Sequence, residues 1–160
     1  AEDLAKEMVR IGNNCGRKTS AVISNMDRPL GYNIGNALEV KEALEILNNR
    51  GASDLREVCL TLASQIVALS KGISFEEARK LTEESLVSGK ALLKFKEWIG
   101  TQGGNTTWID NPALFPEAKF TYEVKAPKSG YIEKTDAETI GIASVVLGAG
   151  RETKNDKIDM

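Results

Sequence analysis

The sequence predicts a mixed α/β chain that is rich in helix. Three observations carry that expectation. Apolar residues recur at helical spacing through much of residues 36–100, a β-branched run "TSAVIS" follows an earlier helical stretch, and "KFTYEVKAPKSGYIEKT" alternates apolar with polar residues around a turn. With 160 residues, 41% of them hydrophobic and 28% charged, the chain has the composition of a globular protein and enough length for one sizeable core or two small ones.

Residues 1–13 place Leu4, Met8, Val9 and Ile11 near helical spacing, and Gly16 is a stop signal. "TSAVIS", residues 19–24, reads as a buried strand, half of an α/β unit that needs a sheet to join. Residues 24–36, "SNMDRPLGYNIGN", fit neither pattern and are rich in turn formers, so the chain changes direction there. Met26 is expected against the sheet. Asn36 with Glu39 has the form of a capping pair, and Val40, Leu44 and Leu47 give the apolar face of a helix over about residues 36–49.

Asp54 can start the next helix. Its "LREVCLTLASQIVALS" is apolar enough to be largely buried, Gly72 ends it, and Cys59 within it reads as a small core residue. Ser74 with Glu77 repeats the capping pattern, Gly89 follows, and "KALLKFKEWIG" forms a shorter helix after that. Trp98 and Trp108, with Phe95, Ile99 and Ile109 beside them, read as packing residues rather than a stacking platform. "TQGGNTTWIDNPALFPEA", residues 101–118, is dense in turn formers and reads as a linker. A hairpin turning at Pro127 to Gly130 comes next, then a helix capped by Thr135 with Glu138, then a charged tail. The chain thus divides into residues 1–100, a linker at 101–118, and residues 119–160.

Several function classes are disfavoured by composition. The 21 basic residues are scattered among 23 acidic ones for a net charge of −2, so no basic stripe is offered to nucleic acid. No apolar run approaches the twenty or so residues of a spanning helix, and the amphipathic "AEDLAKEMVR" is no signal sequence, so a cytoplasmic protein without a membrane partner is expected. Histidine is absent, which removes Ser-His and Cys-His nucleophile pairs and the usual zinc sets. Two cysteines in unrelated surroundings make no disulfide framework. "QGGN" at 102–105 and "LGAGR" at 147–151 lack the strand-turn-helix setting of a phosphate cradle, and the second reads as a helix end.

"SNMDRPLGYNIGNALEVKEAL" resembles the segment of the thymidine phosphorylase (pyrimidine-nucleoside phosphorylase) family in which a Met-Asp-x-Pro-Leu-Gly loop runs into a Gly-Asn-Ala-Leu-Glu-Val helix. "SGYIEKTDAETIGIASVVLGAGRETKNDKID" is similar to the start of that family's C-terminal domain, with its Gly-Ala-Gly-Arg and Lys-x-Asp-x-Ile-Asp elements. The two stretches keep the family's order and approximate spacing. The resemblance implies the end of a central α/β domain at 1–100, then the linker, then the start of a smaller α+β C-terminal domain at 119–160. It also implies a homodimeric enzyme that splits thymidine, deoxyuridine or uridine with inorganic phosphate into free base and pentose 1-phosphate.

The family's Lys-x-Ser-Thr-Gly-Gly phosphate loop and its base-holding Arg, Ser and Lys lie upstream of the stretch matched here, so no catalytic residue is assigned and the chain alone is expected to be inactive. The resemblance further implies a potassium ion held by the backbone carbonyls of Leu30 and Asn33 and the carboxylate of Glu42. Helical side chains lean toward the helix N-terminus, which is compatible with Glu42 reaching the loop, while Glu39 is taken up in capping. Pattern alone points elsewhere. Glu39, Glu42 and Glu45 form a row that normally faces solvent. Two other classes stay open: a non-catalytic helical interaction module, and a carrier-like scaffold suggested by "VKAPKSGYIEK", although that stretch lacks the carriers' modified Lys tip.

Overall fold

The computed structural model describes residues 1–151 and 153–158. Its first helix, α1, spans Glu2–Asn14, with Gly16 just beyond it at φ +74. Next come α2 (Asn36–Leu47), α3 (Ser53–Lys71), α4 (Phe75–Val87) and α5 (Lys90–Thr101). A single turn, α6 (Thr107–Asp110), and a 3-10 turn (Pro112–Leu114) lie in the segment read as a linker. The last helix, α7 (Ala137–Ser144), runs into a π-helical turn at Val145–Ala149. The Lys-x-Asp-x-Ile-Asp element, beginning at Lys154, ends at Asp159, outside the described residues.

Helix ends follow their local chemistry, with two corrections. Ser74 and Glu77 form a full capping box: the Ser74 hydroxyl accepts the Glu77 N–H at 3.2 Å and the Glu77 carboxylate accepts the Ser74 N–H at 3.1 Å. Gly72, left-handed at φ 68, ends α3. At α2, however, the cap is Gly35 rather than Asn36, and Glu39 reaches back to the Gly35 N–H at 3.2 Å. At α7 the cap is Asp136 rather than Thr135; its carboxylate accepts the Thr139 N–H at 2.8 Å.

The buried residues are Leu44, Ile46, Ala52, Leu60, Ala78, Leu86 and Ile109, and the packing joins α3 to α4, α4 to α5 and α5 to α2. The chain turns through 118° between α3 and α4. Inside that corner the buried Ser64 hydroxyl donates to the Leu60 carbonyl at 2.6 Å and meets the Thr82 hydroxyl at 2.9 Å, so a polar atom in the packed seam has partners on both helices. Asn49, left-handed at φ 61, donates its side-chain amide to the Leu86 carbonyl and ties the end of α2 to the end of α4. A Lys96–Asp110 ion pair holds α6 to α5.

Arg79 on α4 clamps Glu57 of α3 at 2.6 Å and Glu83 of its own helix at 2.8 Å. The Arg79 hydrogen bond holds the Glu57 carboxyl below its ordinary value of 4.5, and the pairing raises Arg79 further above its usual range. A lowered carboxyl pKa contributes stability that is full above pH 4.5 and is lost as pH falls through the lowered value. Because the Glu57 side chain is 61% exposed, the contribution is small, about 0–1 kcal/mol. Arg79→Met should therefore lower the melting temperature slightly above pH 4.5, where the contribution is full, and converge with the parent as pH falls below 4.5, which flattens the acid limb of the curve. Parallel curves for parent and variant would show the clamp to be idle.

The sheet-forming segments differ from expectation. Among the described residues none forms a strand: both "TSAVIS" and residues 119–135 run without ladder partners. The physical reason is that a strand exists only as one side of a ladder. Val22 and Ile23 remain exposed, as do Phe120, Tyr122 and Val124, the apolar half of the alternation. The helix-rich part of the expectation holds, and the β part has no counterpart among the described residues.

Several apolar side chains also lack cover. Leu4, Met8 and Ile11 lie bare along α1, α3 buries only Leu60 and Ser64 rather than most of its length, and Cys59, Met26 and Trp98 are exposed. Total accessible surface is 12718 Å², against about 7,900 Å² for a compact monomer of this mass. The chain thus presents apolar helix faces that a finished core would bury.

Candidate functional site: a loop held by carboxylates

The loop between "TSAVIS" and α2 is the most highly organised non-helical segment. Asn25 turns it first, its side-chain oxygen accepting the Asp27 N–H at 2.7 Å. The Asp27 carbonyl then accepts the Ala137 N–H at 3.2 Å, which joins the loop to the start of α7, more than a hundred residues away.

From Gly31 onward the backbone donors go to carboxylates. The Gly31 N–H reaches Asp54 Oδ2 at 3.3 Å, Tyr32 reaches Glu42 Oε1 at 2.8 Å, Asn33 reaches Glu42 Oε2 at 3.2 Å, and Gly35 reaches Glu39 Oε1 at 3.2 Å. Glu42, only 5% exposed, is the one buried acidic residue among the described residues. It lies on the second turn of α2, and the lean of its side chain toward the helix N-terminus carries it under the loop. Burying a carboxylate is unfavourable unless its lone pairs are filled, and two backbone N–H groups supply that here.

Gly31 makes the close approach feasible. Its φ is +75, and a Cβ there would lie 2.5 Å from Glu42 Oε2, 2.8 Å from Cδ and 2.9 Å from Oε1. Pro29 and Gly31 shape the turn, and Glu42 fixes it.

The three residues expected to hold a cation are thus gathered by one loop and the helix after it. Glu42 bonds the N–H of Asn33, and the carbonyl oxygens of Leu30 and Asn33 accept no hydrogen bond from the described residues. Each Glu42 oxygen accepts one N–H and keeps a second lone pair. The Leu30 and Asn33 carbonyls and the Glu42 carboxylate would all offer oxygen, the donor type that a large, hard cation takes. No cluster of three or more His, Cys, Asp or Glu side chains occurs among the described residues.

Sequence reasoning missed Asp54, which it took only as a helix start; the structure adds its bond to Gly31. It also treated the solvent-facing row as the bland reading for Glu42, whereas Glu42 is buried while Glu39 and Glu45 are not. A signal was available in the glycine of "PLGYN", since a left-handed turn residue packed on a helix leaves room for a side chain beneath it.

A second concave surface lies beside the N-terminus of α2, where Ala37 and Val40 face Trp108, Leu114 and Phe115. Trp108 and Phe115 pack edge to face at 4.9 Å, and the Lys41 ammonium lies 5.7 Å from the Phe115 ring centre.

Comparison with known proteins supplies the class. Residues 1–92 match the family described as "Glycosyl transferase family, a/b domain", and residues 131–160 match the "Pyrimidine nucleoside phosphorylase C-terminal domain". The chain therefore belongs to the glycosyl transferase family defined by that a/b domain. Within it, the chain is similar over its whole length to curated pyrimidine-nucleoside phosphorylases: 50% identical to that of Bacillus subtilis (strain 168), 53% to that of Staphylococcus aureus (strain USA300) and 52% to that of Staphylococcus epidermidis (strain ATCC 12228 / FDA PCI 1200). It spans 37% of the length of each of these relatives.

Proposed function

We propose that this chain is a supporting portion of a pyrimidine-nucleoside phosphorylase, an enzyme that reversibly converts thymidine, deoxyuridine or uridine and inorganic phosphate into free base and (deoxy)ribose 1-phosphate. The observation that carries the reading is identity of 50–53% over all of the chain, in a stretch that keeps both the carboxylate-held loop and the C-terminal match. Residues 1–100 are read as the end of the central α/β domain, 101–118 as the linker, and 119–160 as the start of the C-terminal domain. The uncovered faces of α1 and α3 are consistent with packing against the rest of the same subunit. A cytoplasmic homodimer completes the reading.

In such a reaction a phosphate oxygen bonds to the sugar C1′ as the C1′–N1 bond breaks. The electron pair leaves with the pyrimidine, which takes up a proton, and the sugar passes through an oxocarbenium-like state. Neither the phosphate nor the base is assigned to residues of this chain. Its proposed contribution is a potassium site at the Leu30 and Asn33 carbonyls and the Glu42 carboxylate. A potassium ion there would supply positive charge and a fixed geometry to the loop.

The test is release of free base from thymidine or uridine with phosphate. The 160-residue chain alone should give none, and the protein that also carries the upstream Lys-x-Ser-Thr-Gly-Gly segment should be active. Turnover by the isolated chain that survives removal of contaminating phosphorylase, or an inactive longer protein, would overturn the reading.

A further inference from the structure

We infer that Asp54 is a positioning residue for the loop, aiming the Leu30 carbonyl by holding the N–H of the peptide that the carbonyl belongs to. The inference deepens the proposed potassium site and rests on that reading for its effect on function.

No cis bond occurs among the described residues, so the Leu30 carbonyl and the Gly31 N–H lie on opposite sides of one rigid unit. Whatever holds that N–H sets the direction of the carbonyl. The holder is Asp54 Oδ2 at 3.3 Å, from a helix 23 residues further along the chain.

That plane needs a holder because of its glycine. Gly31 is free to adopt either sign of φ, so the 30–31 peptide can turn over with little local resistance, and turning it would swing the carbonyl to the other face. Glu42 does not prevent this, since its bonds begin one peptide later, at Tyr32 and Asn33. The two carboxylates therefore divide the loop, with Asp54 fixing the plane before Gly31's Cα and Glu42 the two after it.

Asp54 is itself well braced. Its Oδ1 accepts the Leu55 N–H at 2.8 Å in the first turn of α3, which leaves Oδ2 for the loop. Ala52, directly before that helix, is fully buried and anchors the turn in the core. Meanwhile the Leu30 carbonyl accepts no hydrogen bond from the described residues, so among them only the Gly31 N–H bond fixes its direction.

The test uses the full-length subunit with Asp54→Ala and Asp54→Asn, because asparagine keeps an acceptor oxygen at the same place while losing the charge. Amide exchange followed by mass spectrometry over residues 28–34 should show one additional fast-exchanging site in Asp54→Ala and near-parental protection in Asp54→Asn. The potassium concentration for half-maximal activity should rise roughly 10- to 150-fold in Asp54→Ala, the worth of one hydrogen bond to a charged acceptor, with kcat at saturating potassium little changed.

Unchanged loop exchange in Asp54→Ala, or equal losses in both variants, would overturn the inference and leave Asp54 as a helix-end charge. A parent protein without phosphorolysis or without potassium dependence would sink the proposed function instead, and the exchange measurement would still decide whether Asp54 holds the loop.

Discussion

Gly31→Ala is expected to destabilise the protein by about 3–5 kcal/mol, several times the effect of the same change at Gly16. Both glycines are left-handed, at φ +75 and +74, so both substitutions incur about 1–2 kcal/mol of backbone strain. They differ in what the new methyl meets: nothing within 4 Å at Gly16, but three atoms of the Glu42 carboxyl group within 2.9 Å at Gly31. A flexible side chain could swing aside cheaply. Glu42 cannot, because moving it breaks bonds to Tyr32 and Asn33, each worth about 1.5–3 kcal/mol to a charged acceptor. Urea unfolding of the two variants against the parent reads the difference directly. Equal losses at both positions would mean that Glu42 is free to move and that the loop is not fixed by it.

The legibility of this fold in its sequence follows from how local each signal is. Ser74 with Glu77, Gly72 and Gly16 were readable because a cap or stop is satisfied within a few residues of itself. At α2 and α7 the cap fell one residue from the expected position, to Gly35 and Asp136. Adjacent turn formers compete for that role, and backbone φ and ψ decide between them. The strand readings at residues 19–24 and 119–135 depended on partners distant in the chain, and alternation cannot supply those. Cys59 and Met26 failed for the same reason: an apolar neighbourhood in sequence becomes a core only where another element covers it.

The candidate site was legible in a different way. Its loop and helix were readable from turn formers and apolar spacing, but its ligand residues came from resemblance, which selected Glu42 from a row of three glutamates that pattern alone assigns to solvent. The reason for that selection appears only in three dimensions. Glu42 is the member of the row that leans under the left-handed Gly31, so it alone becomes buried and meets two backbone donors. Asp54 was invisible as a loop partner because it is 23 residues from Gly31 and already had a local explanation as a helix start.

Glu42→Gln separates what is observed of this carboxylate from what is proposed for it. Glutamine keeps the length and helix propensity but offers one acceptor oxygen and one NH₂, so one of the Tyr32 and Asn33 N–H groups would face a donor. Exchanging two charge-assisted bonds for a single neutral one should cost about 2–4 kcal/mol of stability, measured by unfolding in sodium without potassium. If the carboxylate also contributes to the cation site, potassium affinity should fall by roughly 10- to 150-fold, from about 1.5–3 kcal/mol at 1.4 kcal/mol per decade. Activity against potassium concentration, with sodium holding ionic strength constant, reads that second effect separately. Glu39→Gln is the control: Glu39 is exposed, its glutamine can still accept the Gly35 N–H, and both measurements should stay close to the parent. Loss of stability in Glu42→Gln with an unshifted potassium curve would leave Glu42 as a fastener of the loop alone. An unshifted curve with unchanged stability would contradict the hydrogen bonds themselves, because a buried carboxylate that bonds two amides cannot be exchanged for an amide without consequence.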